Sequence, residues 1–504
     1  MAVVPVPVPF PPRPARLRPR RLAELCSRLG GPAPDSDVAL TGMTHDSQAV
    51  RPGDLYAALP GARTHGAGYA AAAVAAGAAA VLTDPAGSAR AAASGVPVVV
   101  VDRPRDVLGT VAAWVYDDPS DRLLVFGVTG TNGKTTTAHF IEAGLRAAGH
   151  TTGLIGTIDT RVAGDRVPSV RTTPEATDLQ ALFAVMAERG VTAVAMEVSS
   201  HALALDRVAG TRFTAGLFTN LSQDHLDFHG DLESYFAAKA MLFDGRCRHE
   251  VVNVDDSYGR RLVTPSTVTV SASGEAAAGW WAGEIVTDPD GTSAFEVHGP
   301  DRRGATASVR SPGAFNVANA LLATAGLVTV GVDLADALRG LAGLDVPGRM
   351  EKVDRGQGFL AVVDYAHTPE AIASALAALR PMTRGRLIIV IGGGGDRDRD
   401  KRPLMGRAAA RGADLVIVTD DNPRSEDPAA IRAAVASGAR GGPAELVTVA
   451  DRAEAIAAAV AAARSGDTVL VAGKGHEQGQ EVTGVVHPFD DRLVLADALD
   501  AVIT

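Results

Sequence analysis

The sequence predicts an α/β protein that is divided into three consecutive domains. With 504 residues, the chain exceeds the usual size of a single hydrophobic core. Short apolar runs typical of strands alternate with Ala-rich segments typical of helices over most of its length. In the second and third parts these runs end in glycine-rich or polar loops, as in parallel sheets with crossover helices. We therefore expect a small N-terminal α/β domain, a central parallel-sheet domain and a C-terminal doubly wound domain.

The first 120 residues contain a leader and the small domain. Residues 1–20 are rich in Pro and Arg, and prolines interrupt their apolar half, so we interpret them as a disordered leader rather than a signal peptide. In residues 21–120, LAELCSRLGG predicts a helix, and DLYAAL, AAVLTD and VPVVVV predict short strands. This part is therefore a small α/β domain.

Residues 121–345 form the predicted central domain. RLLVFGVTG, TAVAMEVSS and TAGLFTNL predict strands, and helices are expected from about Thr135 to Ala148 and from about Asn316. Between residues 250 and 310, EVVNVDD, STVTVSAS, SAFEVHG and ATASVRS predict a meander of short strands at the edge of the domain. Pro347 and Gly348 mark a linker to the third domain.

Residues 346–504 form the predicted C-terminal domain. FLAVVDYAH, RLIIVIGGGG, DLVIVTDDNPR and DTVLVAGKGHE predict four apolar strands, each followed by a polar or glycine-rich loop. Ligands of doubly wound sheets bind beyond the carboxyl ends of the strands. These four loops are therefore expected to line a binding site.

The composition excludes several classes of function. A net charge of −10 and a pI near 5.7 argue against nucleic acid as the main partner. The apolar runs are interrupted by Gly and by charged residues, so no membrane span is expected. Cys26 and Cys247 are too few for a disulfide framework and favour a reducing, cytoplasmic location.

A glycine-rich turn follows the first strand of the central domain. In GVTGTNGKTTT, glycines allow backbone N–H groups to converge on an anion, Lys134 supplies a positive charge and Thr135 is placed to bind Mg²⁺. Val128 stands where the strict motif has glycine, so the turn is a variant. The alternative is a tight turn with an exposed lysine, but the preceding strand and following helix favour a nucleoside triphosphate.

Carboxylates and imidazoles follow two further strands of the central domain. AMEVSSHAL places Glu197 and His201 at a strand end, and a later loop contains Asp224 and His225 ahead of Lys239. Such groups could complete the coordination of Mg²⁺ beside the phosphate turn. For any one of the histidines, a solvated loop position remains an equal alternative.

These motifs, taken together, resemble those of the Mur ligases, the ATP-dependent amino-acid-adding enzymes of peptidoglycan synthesis. The resemblance runs in order from about Ser47 to the C-terminus and is carried by GTNGKTTT, MEVSSHAL, NLSQDHLDFHG, SYFAAKAMLF, PGAFNVANALLA, VPGRME, VVDYAHTPEA and GGGGDRDRDKRPLM. It implies a UDP-sugar-binding first domain, a central ATPase domain and a Rossmann-like last domain. TDDNPRSEDP and AGKGHEQ are similar to the branch that adds diaminopimelate to UDP-N-acetylmuramoyl-L-Ala-D-Glu.

The resemblance assigns residues to ATP and to catalysis. It implies attack of the substrate carboxylate on the γ-phosphate of ATP, which gives an acyl phosphate that the amine then attacks. The implied ATP-binding residues are Gly130, Thr131, Asn132, Gly133, Lys134, Thr135, Thr136, Asn319, Arg349 and Asp364, and the implied catalytic residues are Lys134, Glu197, His225, Lys239 and His367. Thr135, Glu197, His225 and Lys239 are implied metal ligands, with Lys239 converted by CO₂ to a carbamate; by itself the sequence is equally compatible with a surface lysine.

The resemblance also assigns the other two substrates. Ser47, Thr172, Thr173, Ser199 and Arg207 match positions that bind the UDP-N-acetylmuramoyl dipeptide, although Gln48 and Leu205 depart from residues that are frequent in the family. The implied amino-acid-binding residues are Arg397, Asp421, Asn422, Pro423, Arg424, Gly473 and Glu477. Because a guanidinium suits a carboxylate and would repel a second ammonium, Arg424 favours diaminopimelate over lysine.

Alternatives remain at this level. The same reaction could use L-lysine, and a folylpolyglutamate synthetase shares the logic of the central domain, although the first domain and the DNPR loop argue against it. From another class, the chain could be a nucleotide-dependent scaffold without catalysis. The sequence leaves open the choice between meso- and LL-diaminopimelate, and we expect a cytoplasmic monomer.

Overall fold

The computed structural model describes residues 11–61, 63–275, 277–288, 290–300 and 302–503. The first ten residues of the expected leader lie outside this range. The chain divides into two compact units. Unit 1 contains residues up to 129, 148–217 and 238–250, and unit 2 contains residues 130–147, 218–237 and 251 onward.

The secondary structure alternates throughout. Up to residue 122 it consists of β1 (Arg20–Arg21), α1 (Leu22–Arg28), β2 (Ala39–Leu40), β3 (Gly42–Thr44), β4 (Asp54–Ala57), α2 (Ala70–Ala75), β5 (Ala80–Thr83), α3 (Ser88–Ala92), β6 (Val98–Val100) and α4 (Pro104–Val115). Residues 124–253 form β7 (Leu124–Thr129), α5 (Lys134–Ala147), β8 (Thr152–Ile155), β9 (Thr160–Val162), β10 (Asp165–Val167), α6 (Ala176–Glu188), β11 (Ala193–Glu197), α7 (Ser200–Ala204), β12 (Phe213–Phe218), α8 (Leu226–His229), α9 (Leu232–Ala240) and β13 (Cys247–Asn253).

The remaining elements belong to the second half of the chain. Residues 257–341 form α10 (Ser257–Arg260), β14 (Val268–Ser271), β15 (Trp280–Thr287), β16 (Ser293–Gly299), β17 (Arg302–Val309), α11 (Ala314–Thr329) and α12 (Leu334–Leu341). They are followed by β18 (Glu351–Lys352), β19 (Leu360–Asp364), α13 (Pro369–Leu379), β20 (Leu387–Gly393), α14 (Lys401–Gly412), β21 (Leu415–Asp420), α15 (Pro428–Ala439), β22 (Glu445–Thr448), α16 (Arg452–Ala462), β23 (Thr468–Ala472), β24 (Gly479–Val482), β25 (Val485–Pro488) and α17 (Asp491–Ile503). Across the described ranges, every helix is too short or too polar to cross a membrane.

Unit 1 is built around two sets of strands. β3, β4, β5 and β6 form a parallel four-stranded sheet. The three strands predicted for the small N-terminal domain are β4, β5 and β6, and β3 was not predicted. A second set follows the order β10-β9-β8-β11-β7-β12, in which β11 lies parallel to both β7 and β8. Because β7 and β11 are parallel neighbours, the two strands end at the same edge of this sheet.

The described part of the expected leader is packed against unit 1. Arg13 is buried, and its guanidinium lies 3.5 Å from the buried carboxylate of Asp54. Arg20 belongs to β1, and its Nη2 is 2.8 Å from Oδ1 of Asp117. Two of the arginines in residues 11–20, Arg13 and Arg20, therefore have carboxylate partners in unit 1.

The meander predicted between residues 250 and 310 is only partly correct. In unit 2 the end of β13 pairs in parallel with β14, and β14 pairs in parallel with β15. Only β15, β16 and β17 form an antiparallel meander. β15 was not predicted, because Gly283 and Glu284 interrupt its apolar pattern, which the structure accommodates with an irregularity in the pairing.

The C-terminal part of unit 2 is a six-stranded sheet in the order β18-β19-β23-β20-β21-β22. The four predicted strands are its parallel centre, and only β18 runs antiparallel. Alternate residues of β20 lie in different cores, Ile389 and Ile391 on one face and Ile388 and Val390 on the other. Both faces are therefore buried, which explains the continuous apolar runs in the sequence.

A buried ion pair joins the edge of this sheet to the last helix. The Arg452 guanidinium and the Asp491 carboxylate are both fully buried and form two contacts of 2.7 Å. The same guanidinium donates to the carbonyl oxygens of Asp420 and Ala472, at the ends of β21 and β23. It thus ties together two strand ends and the start of α17.

Removing one partner of this pair should destabilise unit 2. We expect Asp491→Ala to lower the free energy of unfolding by about 3–5 kcal/mol, because it leaves an uncompensated buried charge. Thermal and urea denaturation followed by circular dichroism would measure this. Glu275→Ala breaks the exposed pair between Glu275 and Arg260, and should cost less than about 1 kcal/mol. Equal losses for the two variants would contradict the prediction.

Candidate active site

The phosphate turn lies between β7 and α5, as predicted. Gly130 and Gly133 adopt positive φ angles of 145° and 87°, which are accessible to glycine. A Cβ at Gly133 would collide with the side-chain amide of Asn319, so the turn and α11 are in close contact. Lys134 Nζ donates to the carbonyl oxygens of Gly130 (3.0 Å) and Thr131 (2.9 Å), which curls its ammonium over the turn. A phosphate bound here would meet this ammonium and the backbone N–H groups of the helix start.

A second loop, residues 219–225, holds the phosphate turn in place. The side chain of Asn220 accepts from the backbone N–H of Asn132 (2.9 Å), and its carbonyl oxygen accepts from the backbone N–H of Thr131 (2.9 Å). The hydroxyl of Thr219 donates to the carbonyl oxygen of Asn132 (2.6 Å). Thr131 in turn donates its hydroxyl to Tyr235 (3.2 Å). The conformation of the turn is therefore fixed by neighbours rather than by glycine alone.

The predicted nucleotide residues Thr135, Arg349 and Asp364 meet in unit 2. Arg349 Nη2 donates to Thr135 Oγ1 (3.0 Å), and its guanidinium lies 4.4 Å from the ring centre of Tyr365. Asp364 accepts from the backbone N–H groups of Met350 (2.7 Å) and Ala366 (2.8 Å). Burial raises the pKa of Asp364, and the nearby Arg349 offsets this only in part. The arginine thus connects the start of α5 with the loop after β19.

Three side chains surround the buried carboxylate of Asp224. Lys401 Nζ lies 3.3 Å from Oδ1, while His225 Nε2 (3.5 Å) and His367 Nε2 (3.8 Å) approach Oδ2. Although burial opposes ionisation, the nearby Lys401 ammonium holds the pKa of Asp224 well below its usual range. Burial and Lys401 lower the pKa of His367, whose Nδ1 lies 2.8 Å from the carbonyl oxygen of Tyr365. His367 is therefore held as a neutral imidazole.

In unit 1 the predicted dipeptide residues form a chain of hydrogen bonds to Glu197. The Glu197 carboxylate accepts from the backbone N–H (2.7 Å) and hydroxyl (3.1 Å) of Thr157, and this hydroxyl lies 3.0 Å from that of Thr172. Thr173 donates its hydroxyl to the carbonyl oxygen of Glu197 (2.9 Å) and accepts from the N–H of Ser199 (3.2 Å). The four predicted residues and Thr157 thus belong to one connected hydrogen-bond network, in which Glu197 and Thr173 are buried.

The other predicted residues of unit 1 lie apart from this chain or have a different partner. Arg207 Nε is 2.8 Å from the carboxylate of Glu175, which is buried. Ser47 follows β3 and is hydrogen-bonded to the phenol of Tyr56. Lys239 is only 1% exposed, so it is not the surface lysine that the sequence alone allowed. A buried lysine requires compensation of its charge or a change in its chemical form.

The donor chemistry can be compared with the needs of Mg²⁺. Among the residues that the structure describes, no group of three or more His, Cys, Asp or Glu side chains is arranged to hold a metal ion. The predicted set differs from such a group, since it contributes one hydroxyl, one carboxylate, one imidazole and one lysine. The oxygens of Thr135 and Glu197 suit Mg²⁺, whereas the ammonium of Lys239 does not and its carbamate would.

The predicted amino-acid-binding residues gather at the carboxyl ends of β20, β21 and β23. Arg424 has a positive φ of 51° and donates from Nη1 to the carbonyl oxygen of Gly395 (2.6 Å). Its Nε lies 3.3 Å from the carboxylate of Glu481 in the hairpin β24–β25. Asn422 Nδ2 donates to Glu477 Oε2 (2.8 Å). The loops therefore form one continuous polar surface.

The remaining predicted residues of this surface differ in exposure. Asp421, Pro423 and Gly473 are buried, and a Cβ at Gly473 would lie 2.6 Å from Asp421 Oδ2. Arg397 is exposed and donates to the carbonyl oxygen of Asp396 (3.0 Å), but it borders the same glycine, Gly394, as Arg424 does.

Sequence reasoning missed several residues of these sites, namely Thr157, Glu175, Lys401, Lys474 and Glu481. Lys401 and Lys474 each follow a glycine-rich loop after a buried strand, and each is nine-tenths or more buried. A lysine between glycines, as in AGKGHE, could have been recognised as a buried cation. Thr157 and Glu175 carry no such signal, because their partners are distant in the sequence.

Comparison with known proteins decides the family. The description "Mur ligase family, catalytic domain" matches residues 39–116, "Mur ligase middle domain" matches 128–327, and "Mur ligase, glutamate ligase domain" matches 348–475. A UDP-N-acetylmuramoyl-L-alanyl-D-glutamate–2,6-diaminopimelate ligase of Streptomyces coelicolor is 57% identical, over 97% of this chain and 98% of the relative. The chain belongs to the Mur ligase family. The resemblance drawn from the motifs is therefore confirmed.

Solved structures agree with the family fold. A structure of a UDP-N-acetylmuramoyl-L-alanyl-D-glutamate–2,6-diaminopimelate ligase has a TM-score of 0.66 and 33% identity, covering 92% of this chain and 96% of that one. The MurF ligase of Thermotoga maritima in complex with ADP has a TM-score of 0.62 at 19% identity, over 91% of this chain and 97% of that one, and supports the fold only. This Mur ligase has the expected three-domain α/β architecture, while the limits at residues 20, 120 and 345 stay a prediction.

The partly buried imidazole of His476 predicts a dependence of stability on pH. Burial, followed by the charge of Arg349, lowers the pKa of His476 to about 3. In the unfolded chain the same imidazole takes up a proton near pH 6.5. The free energy of unfolding is therefore lost as the pH falls from about 6.5 towards 3, by up to about 1.4 kcal/mol per pH unit. We expect His476→Gln to reduce the slope of the free energy of unfolding against pH below about 6.5, as measured by urea titrations at several pH values. His487→Gln, on the exposed strand β25, should keep the slope of the unchanged protein; a His476 variant with that same slope would refute the assignment.

Proposed function

We propose that this Mur ligase is an ATP-dependent ligase that joins diaminopimelate to the D-Glu of UDP-N-acetylmuramoyl-L-Ala-D-Glu, in the synthesis of peptidoglycan precursors. The relatives that bear this name support the assignment over nearly the whole chain. The observation that carries the choice of amine is Arg424, which is fixed in the loop after β21 by Gly395 and Glu481.

ATP would bind at the phosphate turn. Lys134 and the backbone N–H groups of the turn supply positive charge to the outer phosphates, and Asn319 packs against Gly133. Arg349 presents its guanidinium beside Thr135 and Tyr365, where it can contact the nucleotide. Two anions, the D-Glu carboxylate and the γ-phosphate, can then approach each other to give the acyl phosphate and ADP.

Mg²⁺ would be held by Thr135, Glu197, His225 and a carbamate formed from Lys239 and CO₂. When bound, it neutralises phosphate charge and orients the transferring group. Glu197 keeps its carboxylate ordered through Thr157. Burial of Lys239 supports the carbamate, because an anionic oxygen ligand would satisfy both the cation and the buried position.

The UDP-N-acetylmuramoyl dipeptide would bind in unit 1, beside the hydrogen-bond network of Glu197. Thr172, Thr173 and Ser199 offer hydroxyl and N–H groups, and Ser47 follows β3 in the same unit. Arg207 supplies a guanidinium for a carboxylate of the dipeptide. The Glu175 carboxylate balances the positive charge of this guanidinium. These groups would position the D-Glu carboxylate for phosphorylation.

The amine would bind at the loops of the C-terminal sheet. Arg424 would accept the distal carboxylate of diaminopimelate, and Glu477 with Asn422 would hold the distal ammonium. Neutral His367 can accept a proton from the attacking amine at Nε2, because Nδ1 is oriented by the carbonyl of Tyr365 and the Asp224 carboxylate stabilises the resulting cation. Phosphate then leaves the tetrahedral intermediate.

We also infer a monomer that acts in the cytoplasm. Cys26 and Cys247 are free thiols, as expected in a reducing compartment. Residues from one chain supply every group proposed above, so the reaction needs no second copy.

The amine preference can be tested with a panel of amino acids. Phosphate release is measured with the muramoyl dipeptide nucleotide, ATP and Mg²⁺, and meso-diaminopimelate, LL-diaminopimelate or L-lysine as the amine. We expect rapid turnover with a diaminopimelate isomer and at least about a hundredfold lower kcat/KM with lysine. Arg424→Ala should reduce the diaminopimelate kcat/KM by about 10–100-fold and remove most of the discrimination, because it deletes a charged hydrogen-bonding partner.

Arg411→Ala provides the matched control for that panel, because Arg411 is exposed at the end of α14. It should leave all amine kinetics unchanged. Turnover of lysine equal to that of diaminopimelate would overturn the assigned substrate, and absence of turnover with every amine would favour the scaffold alternative.

Carbamylation of Lys239 can be observed directly. We expect a carbamate resonance in ¹³C NMR after incubation with labelled bicarbonate, and its loss in Lys239→Met together with ligase activity. Lys352→Met, which changes a partly exposed lysine on β18, should retain both. A Lys239→Met protein with full activity would exclude the role proposed for this residue.

A further inference from the structure

Lys474 is a fully buried lysine beside the proposed amino-acid pocket. It follows β23 and has 0% of its surface exposed. An isolated buried ammonium is strongly unfavourable, so such a residue is retained only with close anionic or carbonyl partners. The groups that compensate the charge of Lys474 therefore indicate its role.

The partners of Lys474 are the side chains proposed to bind the amine. Its Nζ donates to Asn422 Oδ1 (3.0 Å) and to Glu477 Oε2 (3.2 Å), and it lies 3.9 Å from Asp421 Oδ1. Asn422 Nδ2 donates to the same oxygen of Glu477 (2.8 Å). One cation therefore connects two carboxylates and an amide that come from the loops after β21 and β23.

The connection extends to Arg424 through the hairpin. Asn422 Oδ1, which accepts from Lys474, also accepts from the backbone N–H of Glu481 (3.0 Å). The carbonyl oxygen of Glu481 accepts from the N–H of Arg424 (3.0 Å), and its carboxylate faces the Arg424 guanidinium. The orientation of the Asn422 amide thus affects both ends of the proposed pocket.

We propose that Lys474 is a positioning residue of the amino-acid pocket, which holds Glu477 and Asn422 in the orientation that receives the amine substrate. Without its ammonium, Asn422 and Glu477 would lose the donor that they share, and the Glu477 carboxylate would be able to turn away. A displaced Glu477 could no longer bind the distal ammonium. This inference rests on the proposed function of the pocket.

The role differs from that of Arg452, another fully buried cation of this sheet. The hydrogen bonds of Arg452 go to Asp491 and to two backbone carbonyls at strand ends, and its charge also acts on Asp421 and Glu477. Asp491→Asn therefore gives a matched structural control, since it weakens a buried ion pair in the same sheet.

Steady-state kinetics with the full chain can test the proposal. We expect Lys474→Met to raise the KM for diaminopimelate about tenfold or more, while the KM values for ATP and the dipeptide nucleotide change less than about twofold. Exchange of labelled ADP into ATP without amine should persist, because formation of the acyl phosphate does not use this pocket. Asp491→Asn should lower Tm and leave the KM for diaminopimelate unchanged.

A double-mutant cycle tests whether Lys474 acts through Glu477. If it does, Lys474→Met should add little to the effect of Glu477→Gln on the KM for diaminopimelate. Lys474→Gln, which keeps a donor without the charge, replaces the Met variant if that variant does not fold. A lowered Tm with an unchanged KM for diaminopimelate, or additive effects in the cycle, would overturn the proposal. Failure of the unchanged protein to use diaminopimelate would instead reject the proposed function.

Discussion

The site depends on a constraint of the C-terminal sheet, whose two faces are both buried. Polar groups can then emerge only where the strands end, and the parallel order of β19, β23, β20 and β21 brings those ends to one edge. Asp364 is the last residue of β19, and Arg424 and Glu477 lie in loops that leave this edge. If one face of the sheet were exposed to solvent, polar residues could also lie on that face, and these residues would not be confined to one edge.

Compensated charge is the second organising feature of unit 2. Asp224 lies among Lys401 and two imidazoles, and Lys474 lies among an amide and two carboxylates. A ligase that assembles several anions needs cations, yet unpaired cations would repel one another and resist burial. The oppositely charged or polar neighbours of Asp224 and Lys474 keep these side chains ordered before a ligand binds.

Local motifs identified the elements and most of the proposed site. The glycine turn before Lys134 and the loops after the four apolar strands were recognisable because a short stretch of sequence fixes their geometry. Thr157 and Glu175 were not, because their roles arise from contacts with Glu197 and Arg207 across the fold. The pairing of Arg13 with Asp54 was not predicted either, since nothing local reveals that the two residues lie opposite each other. β15 was missed because Gly283 and Glu284 interrupt the alternation of apolar and polar residues by which a strand is recognised.

The hairpin β24–β25 does more than cover the loop after β21. It adds a bridge between Val482 and Arg424, and Gln480 donates its side-chain amide to the carbonyl oxygen of Asp421 (2.7 Å). The backbone of residue 424 is thereby held in its left-handed conformation from outside its own loop. A substitution at position 424 alone would therefore leave the loop in the shape that the hairpin imposes, so the two segments act as one structural unit.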